Sequence, residues 1–86
     1  MYVVIVYDVD ETRVSRINRF LKRYIVWVQN SVFEGEISES LLADLEGRVK
    51  KLLKGNDSML VYVAKTKSML DKKVIGTERG IIDNVI

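Results

Sequence analysis

Apolar residues recur along this chain with two different periods. Six apolar positions run unbroken in Tyr2-Val3-Val4-Ile5-Val6-Tyr7, and the carboxylate of Asp8 closes them. A run so dense in valine, isoleucine and tyrosine reads as a strand over 2–8. The period then lengthens. At about 100° per residue, Val14, Ile17, Phe20, Leu21 and Tyr24 share an arc of roughly 120°. That spacing predicts a helix over 12–24, capped by Asp10 or Thr12. Ile25 to Gln29 reads as a second strand, Asn30-Ser31 as a bend, and Val32 to Ile37 as a third strand. The bend is so tight that a single bulged strand fits the pattern too. Leu41, Leu42, Leu45, Val49, Leu52 and Leu53 again share one arc, predicting a helix over 39–54. Ser38 or Ser40 would cap it, and Gly55 would follow its end. Ser58 to Ala64 is a fourth strand. Residues 65–73 form a polar connection, Val74-Ile75-Gly76 resumes an extended run, and the tail 81–86 is apolar without helical period.

This order predicts an α+β fold, a ferredoxin-like βαββαβ unit with a four-stranded antiparallel sheet. No linker or repeat interrupts it, so 1–86 is read as one domain. Two helices cover one sheet face only. The strands are nevertheless apolar on both faces: Val3 and Ile5 oppose Tyr2, Val4 and Val6, while Leu60 and Tyr62 oppose Met59, Val61 and Val63. A second copy of the chain is the simplest cover for the second face, so a homodimer is expected. The tail Ile81 to Ile86 would supply a C-terminal strand pairing with an edge of the partner.

Composition narrows the chemistry. Of 86 residues, 48% are hydrophobic, a high share for so short a chain, which again favours burial against a partner. Histidine and cysteine are absent. Disulfides, thiolate sites and cysteine nucleophiles are excluded, as are the usual general base and zinc ligand. Ser31 has no histidine to activate it. A net charge of +2 is mildly basic, so its distribution matters more than its sum. No apolar run approaches the roughly 20 residues of a membrane span, and the first residues lack a basic leader. A cytoplasmic protein without membrane contact is expected.

Asp8 is the leading candidate for chemistry. A carboxylate at a strand end either accepts backbone N–H bonds or holds a hard cation. Magnesium often uses only one or two protein carboxylates, and two copies of Asp8 near a dimer axis would supply them. Asp10 is better read as a helix cap, Glu11 as complementing the helix dipole, and Glu34 and Glu36 as solvent-facing strand acids. Arg16, Arg19, Lys22 and Arg23 occupy the polar arc of the first helix with no acid among them. Surface helices normally mix signs, so this stripe is a candidate phosphate surface. Lys50, Lys51 and Lys54 suit the end of the second helix. Trp27 and Phe33 read as core or interface residues. The Tyr7 hydroxyl could orient the Asp8 carboxylate or bond a phosphate.

Tyr7-Asp8-Val9, the arginine-bearing helix, and Val28-Gln29-Asn30-Ser31-Val32-Phe33-Glu34 together resemble the CRISPR-associated Cas-two family. The Gln-x-Ser-Val-Phe element is the most specific part, and Val74-Ile75-Gly76 fits the C-terminal pattern. The resemblance spans residues 2 to about 76. It implies a ferredoxin-like homodimer with back-to-back sheets. It implies catalytic, metal-binding Asp8 residues at the interface, holding Mg2+ or Mn2+, in a metal-dependent endonuclease of the spacer-acquisition step acting on RNA or DNA. In other members the dimer is a non-catalytic scaffold that binds duplex DNA and bridges the CRISPR integrase. Carried over onto this chain are Tyr7, Asp8, Arg16 and Phe33, with Arg19 and Arg23 added from the basic stripe as nucleic-acid contacts. Trp27 stands where many members have an arginine. A small-molecule-sensing regulator shares the fold but leaves the arginines unexplained.

Overall fold

The computed structural model describes residues 1–80. Its elements are β1 (Tyr2–Asp8), α1 (Glu11–Leu21), β2 (Val26–Gln29), β3 (Val32–Glu36), α2 (Glu39–Val49) and β4 (Ser58–Ala64), followed by a 3-10 turn at Lys67–Met69. The sheet order is β2-β3-β1-β4, with every neighbouring pair antiparallel. This is the expected ferredoxin-like arrangement.

Strand alternation decides what each face does. Val3, Ile5 and Tyr7 of β1 and Phe33 of β3 point to the helices. They pack with Ile17 and Leu21 of α1 and with Leu42, Leu45 and Val49 of α2 in one core. The opposite face carries Val4 and Val6, flanked across the β1–β4 ladder by Tyr62 and Leu60. Leu60 and Tyr62 are 53% and 57% exposed, so this second apolar face is bare in the single chain.

Both helices are shorter than their apolar arcs. Asp10 caps α1 by accepting from the Thr12 amide at 3.0 Å, and Ser38 caps α2 by accepting from the Leu41 amide at 3.2 Å. The α1 ladder ends at Leu21 because the Arg23 and Tyr24 amides bond Phe20 and Leu21, tightening the last turn. The Lys51 and Leu52 amides likewise bond Arg48 and Val49 after α2. Gly55 is therefore not the residue after a helix end. With φ of +58° it shapes the turn that enters β4.

Asn30-Ser31 joins two antiparallel strands and not one bulged strand, although β2 does carry an irregularity between Trp27 and Gln29. Asn30 takes φ of +46°, a conformation asparagine tolerates. Val14 departs from its arc: it is 38% exposed, near the end of the sheet where Asp8 emerges. Residues 74–76 do not form a strand. The chain from 70 to 80 instead reaches the opposite edge of the sheet, where the Gly80 amide donates to the Val28 carbonyl at 2.5 Å. The expected C-terminal strand at 81–86 lies outside the described residues.

Candidate metal and nucleic-acid site around Asp8

Asp8 is the last residue of β1 and pairs with Ser58 of β4. Alternation places it on the bare face with Val4 and Val6, and it is exposed. Its carboxylate makes no hydrogen bond or ion pair with any described residue.

The surrounding acids are all engaged. Asp10 accepts from the Thr12 hydroxyl at 2.5 Å and from its amide, and these two bonds hold its carboxyl below the ordinary range. Asp57 accepts from Arg13 Nε at 2.5 Å and Nη2 at 3.0 Å, from the Asp10 amide at 2.9 Å and from the Lys54 amide at 3.0 Å. Its side chain is only 3% exposed. The Arg13 guanidinium is the main reason its carboxyl lies far below the usual carboxylate range. Asp8, Asp10, Arg13 and Asp57 line a cleft of about 440 Å³ with Gly55 and Asn56. Within it Asp8 is the one acid left without a partner among the described residues.

No group of three potential metal ligands occurs among the described residues. Among the described residues, this cleft thus offers a hard cation a single free carboxylate. That donor set suits magnesium or manganese, which keep several waters, and suits zinc poorly. Asp8 lies on the face that is bare and apolar, so a second copy seated there would add a second carboxylate.

Arg16, Arg19, Lys22 and Arg23 are exposed and line a groove of about 540 Å³ floored by Phe20 and Leu52. None makes an ion pair with a described residue. The Lys22 ammonium stands 5.9 Å from the centre of the Trp27 ring. The groove begins about one and a half turns from the N-terminal end of α1, roughly 8 Å at 1.5 Å per residue.

Tyr7 and Phe33 both lie in the core, and for Phe33 that is one of its two expected places. Tyr7 is 3% exposed and faces the core, its ring 6.4 Å from Phe33, so its side chain does not reach the surface where a nucleic acid would lie. The reason is parity: Tyr7 and Asp8 are neighbours, so they point to opposite faces. Phe33 is fully buried under the helices and serves the core, not an interface on the bare face. Glu34 is not solvent-facing either. It is 9% exposed, accepts from the Tyr2 hydroxyl at 2.6 Å and pairs with Lys72 at 2.8 Å. Asp57 was not singled out in the sequence, although Gly55-Asn56-Asp57 carries a turn signature. Its partner Arg13 is 44 positions away, which no local pattern discloses.

Comparison with known proteins gives a family and a shared fold. The family described as CRISPR associated protein Cas2 matches residues 1–72. The CRISPR-associated endoribonuclease Cas2 of Thermococcus kodakarensis is 39% identical over 87 residues, covering 100% of both chains. A crystal structure of a Cas2 superposes with a TM-score of 0.85 at 47% identity, covering 92% of this chain and 90% of that one. Streptococcus pyogenes Cas2, at 24% identity and a TM-score of 0.77, shares the fold over 88% of this chain and 100% of its own.

Proposed function

Because this chain belongs to the Cas2 family of CRISPR-associated proteins, we propose that it is a metal-dependent endonuclease that cleaves RNA, working as a homodimer with one Asp8 from each protomer. The unpaired Asp8 carboxylate on the bare sheet face carries this reading. The other two acids of the cleft, Asp10 and Asp57, are tied to backbone amides, a hydroxyl and an arginine. Among the acids of the cleft, Asp8 keeps its carboxylate oxygens exposed and without a partner among the described residues.

Two Asp8 carboxylates would hold Mg2+ or Mn2+, whose chemistry is to polarise a phosphoryl oxygen and acidify a bound water. The chain's own groups do the rest. Arg16, Arg19 and Arg23 hold the phosphate backbone with forked donors along α1 and orient it toward the strand end. The dense core behind Tyr7 and Phe33 fixes the β1 end from which Asp8 projects.

The basic groove also supports a second reading, a non-catalytic scaffold that binds duplex DNA and bridges the CRISPR integrase. Its cations need no Asp8 to bind phosphates, and such binding would be largely blind to sequence.

Asp8→Asn separates the two. With RNA and with duplex DNA in magnesium, the nuclease reading expects cleavage to fall by about a hundredfold or more while binding persists. Unchanged cleavage would remove Asp8 from the reaction. If neither form cleaves and both support spacer integration, the scaffold reading stands.

A further inference from the structure

We propose that Asp57 is a positioning residue for Asp8: it captures Arg13, the cation nearest in sequence to the strand end, and so keeps the Asp8 carboxylate free for a divalent ion. This inference rests on Asp8 being the metal ligand. It assigns a role to two residues which that reading does not use.

The geometry supports capture over simple surface pairing. Arg13 meets Asp57 with two nitrogens, Nε at 2.5 Å and Nη2 at 3.0 Å, each on a different carboxylate oxygen. Such a fork fixes the guanidinium in direction as well as distance. The two Asp57 oxygens also accept the Asp10 and Lys54 amides, so the carboxylate is held from three segments. Its side chain is 3% exposed and that of Arg13 is 23% exposed, so solvent screens the pair far less than an ordinary surface bridge. Arg13 and Asp8 meanwhile line the same cleft.

The consequence is electrostatic. A guanidinium released from Asp57 would remain in the cleft that also holds Asp8, the carboxylate there without a partner among the described residues. Arginine and a divalent cation compete for the same oxygens, and an Arg13–Asp8 pair would weaken metal binding. The turn built on Gly55 delivers Asp57 to the start of α1 and prevents this. The bonded Asp10 amide lies two residues after Asp8, so the same carboxylate also steadies the chain leaving β1.

The test is Mn2+ affinity, read by electron paramagnetic resonance or calorimetry on the whole chain, without nucleic acid. Asp57→Asn is expected to weaken Mn2+ binding by about tenfold, between the bulk-water and the protein-surface scale of one close charge pair. Asp57→Asn combined with Arg13→Gln is expected to restore wild-type affinity to within about twofold, because the competitor is gone. A purely structural role for Asp57 predicts the opposite, a double variant no better than the single one. Thermal unfolding is followed alongside. Should Asp57→Asn fail to fold, Asp57→Glu, which keeps the charge but spoils the fork, takes its place with the same rescue. Asp8-dependent Mn2+ binding that Asp57→Asn leaves untouched overturns this inference alone. If Asp8→Asn binds Mn2+ as wild type does, the metal reading itself falls, and this inference with it.

Discussion

Tyr2 and Glu34 meet on the sheet face that the helices leave bare, with the phenol donating to Glu34 Oε2 at 2.6 Å. Lys72 then bridges Glu34 at 2.8 Å and Glu78 at 2.5 Å. The far ends of one irregular segment, 72 and 78, are thereby fastened to the sheet by a single ammonium. Between them Ile75 is 98% exposed. Charge, and not apolar burial, holds this segment down.

The Tyr2 bond makes stability depend on alkaline pH. Burial, then the hydrogen bond to Glu34, then that carboxylate's charge push the phenol from 10.0 to about 12. The neutral form is favoured in the folded state, so its contribution is complete below pH 10 and is lost as pH rises toward 12. The two-unit shift corresponds to about 2 to 3 kcal/mol. Urea unfolding at pH 9 and pH 11 should show wild type losing more stability than Tyr2→Phe. Equal losses would show that Tyr2 does not titrate in this way.

Lys72→Met should release residues 70–80. Desolvation alone would lower the lysine's pKa, but its bonds to Glu34 and Glu78 raise it overall, so the cation is firmly retained. Without it two buried carboxylates face one another. The Lys72 side chain is itself 35% exposed, so the expected loss is about 1 to 3 kcal/mol, less than for a fully buried pair. Hydrogen exchange should show faster exchange at 72–80, including the Gly80 amide bonded to Val28, with the β1–β3 ladder unchanged. Uniform loss of protection would point to a general unfolding defect instead.

The elements of this fold were legible because they are local. Unbroken apolar runs at 2–8 and 58–64 and the period of α1 and α2 are properties of contiguous residues. The apolar arcs overrun the helix ends because Tyr24 and Leu52 continue them after the backbone has tightened. Asp8 was legible as a carboxylate closing a strand, and the arginine stripe as unmixed charge. Tyr7 adjoins Asp8 in sequence, but strand parity turns its side chain into the core while Asp8 faces outward. Asp57 and the Tyr2–Glu34 bond were not legible, since Asp57 lies 44 positions from Arg13 and Glu34 lies 32 from Tyr2.

The bare face predicts association. Leu60 and Tyr62 are both more than half exposed, beside Val4 and Val6. Leu60→Asp would place a charge at the centre of any sheet-to-sheet contact and should shift a dimer to monomer in sedimentation at micromolar concentration. It should also weaken Mn2+ binding, because the second Asp8 would be lost. Wild type sedimenting as a monomer would leave each metal site with a single carboxylate.

The basic groove makes a prediction that holds whether or not the protein cleaves. Arg16, Arg19 and Arg23 are exposed and without ion-pair partners among the described residues, so each can neutralise a phosphate without first breaking a bond. Each neutralised phosphate of a single strand contributes about 0.7 to the slope of log affinity against log salt. Arg16→Gln, Arg19→Gln and Arg23→Gln should each reduce that slope by about this amount, and uniformly across sequences. Arg48 is the control. It is equally exposed, but its guanidinium already pairs with Asp44 at 3.1 Å four residues earlier, and that carboxylate also accepts the Tyr24 hydroxyl at 2.7 Å. Its charge is locally balanced, so Arg48→Gln should leave the slope unchanged. Equal reductions from Arg48 and from the groove arginines would mean that the chain binds through diffuse net charge. Loss confined to Arg16, Arg19 and Arg23 would place the nucleic acid along α1.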